Sequence, residues 1–200
     1  MSAAAEPGRP GRDAWHTGTG NVFVANEQHE VEVDPERLAG LALLAMEAEG
    51  VAEGELSILV VDTDVMADLN ERYYAGERRP TDVLAFPIDG PPPPTPPPLG
   101  PSGPGTYGAS RAIDELDDDE DEEGDGEPWL LGDVVLCPAY AAEGAAKAGH
   151  SLEAELELLV VHGILHLCGL DHAEPEEERA MTARTDELLA RWRSGGDTGV

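Results

Sequence analysis

The chain has 200 residues, 42 of them acidic and 12 basic, for a formal charge of −30; this excludes a protein whose whole surface is a nucleic-acid footprint, since phosphate binding draws on clustered lysine and arginine. Hydrophobic residues make up 40% of the sequence and aromatics only 4%, so a core has to be built from Leu, Val, Ile and Ala. No apolar run approaches the roughly 18 residues a membrane span requires, and the first 20 residues lack the apolar centre of a signal peptide, which predicts a cytoplasmic protein with no membrane partner.

Residues 1–20 are rich in Ala, Gly, Pro and Arg without apolar periodicity, and are expected to be a disordered leader outside the fold. Residues 21–195 then read as a single domain interrupted over 90–128, with 196–200 as a tail. A strand is expected over 21–26 and a helix over 35–49, with Asp34 as N-cap and Leu38, Leu41, Leu43, Leu44 and Ala45 as its apolar stripe. A second strand covers 56–62, a second helix 64–75 and a third strand 82–88. Over 90–128 a proline run is joined to an acidic run. The first favours extended polyproline conformations and the second repels itself, so neither packs alone. The acidic part reads as a solvated loop, the alternative being a tail whose charge density resembles a nucleic-acid backbone and which competes for a basic surface. The fourth strand covers 129–137 and a short helix 139–148.

The last two helices carry the chemistry. One runs over 152–168, capped by Ser151, with Glu153 and Glu155 in the first turn where the helix dipole favours carboxylates. The other runs over 175–192, with Pro175 suited to its first position and Met181, Leu188 and Leu189 among its apolar positions. Cys137 and Cys168 lie in apolar segments without CxxC spacing and read as buried thiols rather than a disulfide.

Six histidines are spread over the chain, yet three fall between His162 and His172. His162 and His166 are four apart on one helix face, from which two imidazoles can converge on one zinc ion. Gly169, just past the helix end, is suited to the left-handed conformation that reverses the chain, which brings His172 back towards the same point. Three neutral imidazoles leave one coordination position open for water or substrate, as in catalytic zinc sites. One Zn2+ per chain is therefore expected. After the first ligand stands Gly163, where the zinc-protease pattern HExxH carries its glutamate base. Its missing side chain makes room either for strand packing or for close substrate approach. Asp171 is placed either to orient a ligand imidazole or to cap the turn.

The segment from His162 through Gly163, His166 and Gly169 to His172 resembles the signature of the YbeY family. Two further blocks are similar to that family's pattern: Pro80-Thr81-Asp82-Val83-Leu84-Ala85-Phe86-Pro87, and Leu131-Gly132-Asp133-Val134-Val135. The resemblance implies an α+β domain with a small mixed sheet packed with helices, the ligand pair on a central helix and a zincin-like metal site. It also implies a zinc-dependent, single-strand-specific endoribonuclease acting in 16S ribosomal RNA 3′-end maturation and ribosome quality control, with single-stranded RNA, small-subunit ribosomal RNA and the ribosome as partners. The rival readings are a non-enzymatic, ribosome-associated zinc module and a zinc peptidase or amidase. The family's arginine after the first tyrosine is replaced here by Tyr74, in a segment one residue longer. Arg72, Arg78 and Arg79 are the nearby cations, and Arg78 and Arg79, beside Pro80, are expected to contact phosphate.

Overall fold

A computed structural model describes residues 17–75, 78–89, 129–170 and 174–195. The insertion over 90–128, the tail over 196–200 and all of the leader before residue 17 lie outside the described residues. The elements, in chain order, are β1 (Thr17–Thr19), β2 (Val22–Asn26), α1 (Pro35–Glu49), β3 (Glu55–Val60), α2 (Thr63–Asn70), a π-helical turn (Glu71–Ala75), β4 (Val83–Pro87), β5 (Leu130–Leu136), α3 (Pro138–Ala148), α4 (Leu152–Leu167) and α5 (Pro175–Gly195). Among the described residues no helix is long and apolar enough to cross a membrane.

The strands form one mixed sheet in the order β1-β2-β3-β5-β4. β2, β3 and β5 run parallel, and β1 and β4 close the edges antiparallel. Parallel neighbours need a crossover, which α1 supplies between β2 and β3. This is the α+β architecture with a small mixed sheet expected from sequence. Two differences in detail follow from local chemistry. Thr17–Thr19 falls within the stretch read as leader, but its backbone pairs with Val22–Val24 across a turn at Gly20, whose φ is +61°. The helix expected over 64–75 is α2, starting at Thr63, followed by the π-helical turn; Asp62 caps it, accepting from Val65 N at 2.9 Å.

The apolar patterns place α1 and α4 on one sheet face. Asp34 caps α1 by accepting from Arg37 N at 3.1 Å. The helix buries Leu38, Ala39, Leu41, Ala42, Ala45 and Met46, while Leu43 and Leu44 of the expected stripe are only half-buried. Ser151 caps α4, accepting from Ala154 N at 3.2 Å. Val22, Val24, Leu56, Ile58, Val60, Val134 and Leu136 form the sheet side of this core. On the opposite face a smaller cluster gathers Met66 of α2 with Leu84, Val135 and Cys137.

Glu157 ties the helical layer together, its side chain only 3% exposed. It accepts from Arg37 Nε at 2.9 Å and Trp192 Nε1 at 3.0 Å, so α1 and α5 are fastened to α4 through one carboxylate. A buried carboxylate is tolerable only with such partners. Elsewhere, β4 and β5 continue their pairing past Pro87: Asp89 N donates to Leu130 O at 3.0 Å, and Leu130 N donates to Asp89 Oδ2 at 2.8 Å.

Candidate metal centre

Helix α4 is apolar almost all round and is packed between α1, α3, α5 and the β4–β5 pair, which makes it the central helix. From Glu155 to Leu167 every position is buried except Leu158, His162 and His166. These three are spaced four apart, so they form a single half-open stripe on an otherwise enclosed helix. The two imidazoles along it stand edge to face, ring centroids 4.7 Å apart, with Nε2 to Nε2 at 3.3 Å. Two nitrogens bound to one tetrahedral zinc at the usual 2.0–2.1 Å lie about 3.3–3.4 Å apart. The observed spacing therefore fits shared coordination.

The helix ends as the glycine predicts. Gly169 has φ +86°, its N–H donates to His166 O at 2.9 Å, and Leu170 N donates to Leu165 O at 3.0 Å. This pair of bonds is a Schellman stop, which satisfies the last carbonyls while turning the chain. It leaves Leu170 half-buried against the core. His172 and Asp171 lie outside the described residues. Replacing Gly169 with Val is expected to cost about 2 kcal/mol of stability, because a β-branched side chain is disfavoured at positive φ. Zinc content should fall with it. Unchanged melting and metal content would count against this role for the turn.

Gly163 resolves in favour of strand packing. A Cβ placed there would lie 2.9 Å and 3.0 Å from the two Val134 methyls. Any side chain at this position would press on Val134 of β5, so a protease-type glutamate is disfavoured here. Gly132 does more. A Cβ on it would meet Phe86 O at 2.3 Å, Leu167 Cδ2 at 2.9 Å and Pro87 Cα at 3.1 Å. The three motif blocks singled out in the sequence thus meet at one residue: the end of β4, the start of β5 and the last turn of the histidine helix. Asp82, at the head of the β4 block, is anchored in turn: its carboxylate accepts from Val83 N at 2.9 Å, and its carbonyl from Cys137 N at 2.9 Å.

The π-helical turn Glu71–Ala75 coincides with the segment that carries one residue too many. A single extra residue in a helix is absorbed by widening one turn to i→i+5 bonding. Of the two arginines expected to contact phosphate, Arg78 is engaged by α2: Nε donates to Asp68 Oδ1 at 2.7 Å and Nη2 to Asp64 Oδ1 at 3.2 Å. Hydrogen bonds to Asp68 and then Asp64 raise its pKa further above its ordinary value. Arg79 is exposed, and its carbonyl accepts from Asn70 Nδ2 at 2.8 Å. Both cysteines are free; Cys137 is buried and Cys168 half-buried. Burial, and after it the charge of Glu49, pushes the Cys168 thiol up to about 11, so it is a neutral thiol at physiological pH.

The family model described as Endoribonuclease YbeY matches residues 23–193. Proteins named Endoribonuclease YbeY from Salinispora tropica and Thermobifida fusca are 46% and 45% identical over 175 and 174 residues. The alignments cover 87% and 86% of this chain and 97% and 94% of the relatives. A solution structure of a Thermotoga maritima protein is 22% identical, with a TM-score of 0.48, over 90% of this chain and 99% of that one. With matches of this extent in both the family model and full-length relatives, the chain belongs to the Endoribonuclease YbeY family.

Proposed function

We propose that this chain is a zinc-dependent endoribonuclease that cuts single-stranded RNA, with small-subunit ribosomal RNA as its substrate and the ribosome in the cytoplasm as its place of action, in 16S 3′-end maturation and ribosome quality control. The observation that carries the chemistry is the 3.3 Å separation of the His162 and His166 Nε2 atoms on the half-open stripe of a buried helix. His172 is the third donor in this reading, supported by the left-handed turn at Gly169 that precedes it. When bound, the metal supplies a Lewis acid for the scissile phosphate or a coordinated water of lowered pKa. The chain's own residues do the rest. Two imidazoles hold the ion from one rigid helix, the neighbouring stripe position Leu158 is apolar, and the buried flanks of α4 restrict approach to that one side.

A zinc peptidase would need a carboxylate base beside the first ligand; this chain has Gly163 there, and its close fit against Val134 disfavours a side chain. Phosphodiester cleavage makes no such demand. The test is cleavage of an unpaired RNA oligonucleotide by the purified chain with and without chelator. Activity that survives metal removal would overturn the reading.

The arginines beside Pro80 supply phosphate contacts in the same reading, Arg78 by exchanging its aspartate partners for phosphate. Arg78→Ala together with Arg79→Ala is expected to weaken RNA binding and to lower the slope of log affinity against log salt by about one to two contacts. An unchanged slope returns both to ordinary surface charge.

A further inference from the structure

On the sheet face turned away from α4, one row of cross-strand partners reads Phe23, Ser57, Asp133, Phe86, from β2 through β3 and β5 to β4. At ordinary strand spacing the two rings stand about 14 Å apart, with a hydroxyl and a carboxylate between them. Tyr73, from the π-helical turn, meets Phe86 edge-on with centroids 5.1 Å apart. Both phenylalanines of an aromatic-poor chain are therefore spent on one groove. Burial explains Phe86, which packs half-buried against the smaller cluster, but not Phe23 or Tyr73, which are 48% and 57% exposed. The groove has a volume of about 620 Å³, within the range of small-ligand sites.

We propose that this groove takes one or two unpaired bases of the RNA substrate, stacked on Phe23 and on the Tyr73–Phe86 pair, with Asp133 and Ser57 accepting hydrogen bonds from their amino edges. The inference rests on the endoribonuclease reading. Flat rings at both ends of the row select a planar ligand, and base–aromatic stacking is the common device for holding single strands. A carboxylate in the middle repels a phosphate but accepts from an exocyclic amine, so the base enters and the backbone stays outside. This also suits a chain of charge −30, because affinity gained from base faces does not depend on a basic surface. A paired base hides its edge, so the groove favours unpaired RNA. The groove and the α4 side lie on opposite faces of β4, an edge strand: Phe86 faces the groove, while its neighbour Ala85 packs against the core shared with α4. A single strand crossing that edge passes from one side to the other.

The test is anisotropy of a labelled, unpaired RNA octamer binding to the full chain, alongside cleavage kinetics. A Phe23→Leu, Tyr73→Leu double variant keeps apolar bulk and removes the rings. It is expected to bind about tenfold more weakly and to raise KM similarly with kcat within about twofold, while Phe23→Tyr with Tyr73→Phe restores both. Asp133→Asn should erase a preference for oligocytidine over oligouridine, since only cytidine offers an exocyclic amine. Wild-type affinity in the double leucine variant overturns the proposal, including the case in which the groove serves a protein partner instead. Ring-dependent binding without cleavage by the wild-type chain would sink the nuclease reading and leave the groove standing. Cleavage with ring-independent binding would do the reverse.

Discussion

Replacing His166 with Ala is expected to lower zinc affinity by more than about a hundredfold and to reduce RNA cleavage to the level seen with chelator. Loss of an outer-shell partner alone costs about 10–100-fold in metal affinity, and in the proposed site a ligand is removed from a three-donor set with no spare. The same result is expected for His162→Ala and His172→Ala. His166 is half-open on α4, so the metal-free stability of the variant should change by less than about 1 kcal/mol. Folding and metal binding are thereby read separately. Stoichiometric zinc in the purified His166 variant would mean that the two imidazoles do not share an ion.

The second large effect concerns Gly132, which touches no proposed ligand. Its φ is +148°, and an added Cβ would sit 2.3 Å from the Phe86 carbonyl oxygen. Backbone strain and overpacking each cost about 1–3 kcal/mol, so Gly132→Ala is expected to destabilise the protein by about 3–5 kcal/mol, or roughly 10 °C in melting temperature. The change should also loosen the last turn of α4 through Leu167, and with it the seat of His166. A melting shift of under about 2 °C would show that β4 yields to the methyl group without penalty.

Much of this arrangement was legible in the chain itself, because it depends on local rules. Asp34 and Ser151 cap the helices they were expected to cap, and Gly169 has the positive φ that a reversing chain demands. Four of the strands stand where alternating or continuous apolar runs put them. β1 was not legible, since Thr-Gly-Thr carries no apolar signal and its strand state comes only from pairing with β2. Nor was the engagement of Arg78, which depends on α2 presenting Asp64 and Asp68 on adjacent turns. The choice between packing and substrate approach at Gly163 required knowing that β5 lies beneath α4. The aromatic row is the clearest such case: strand parity can be read along each segment, but the row exists only once the order β2-β3-β5-β4 is fixed.

The hydrogen bonds that join Asp89 to Leu130 have a further consequence for how this gene can change. The strand ends at Asp89 and Leu130 are held side by side by the sheet, so for any flexible connection between such ends added length costs only the entropy of closing a loop. That entropy grows logarithmically, about 0.6 kcal/mol per doubling of length. Residues can accumulate between these two points, or be lost, almost without cost to the domain around them. The hairpin acts as an evolutionary insertion port.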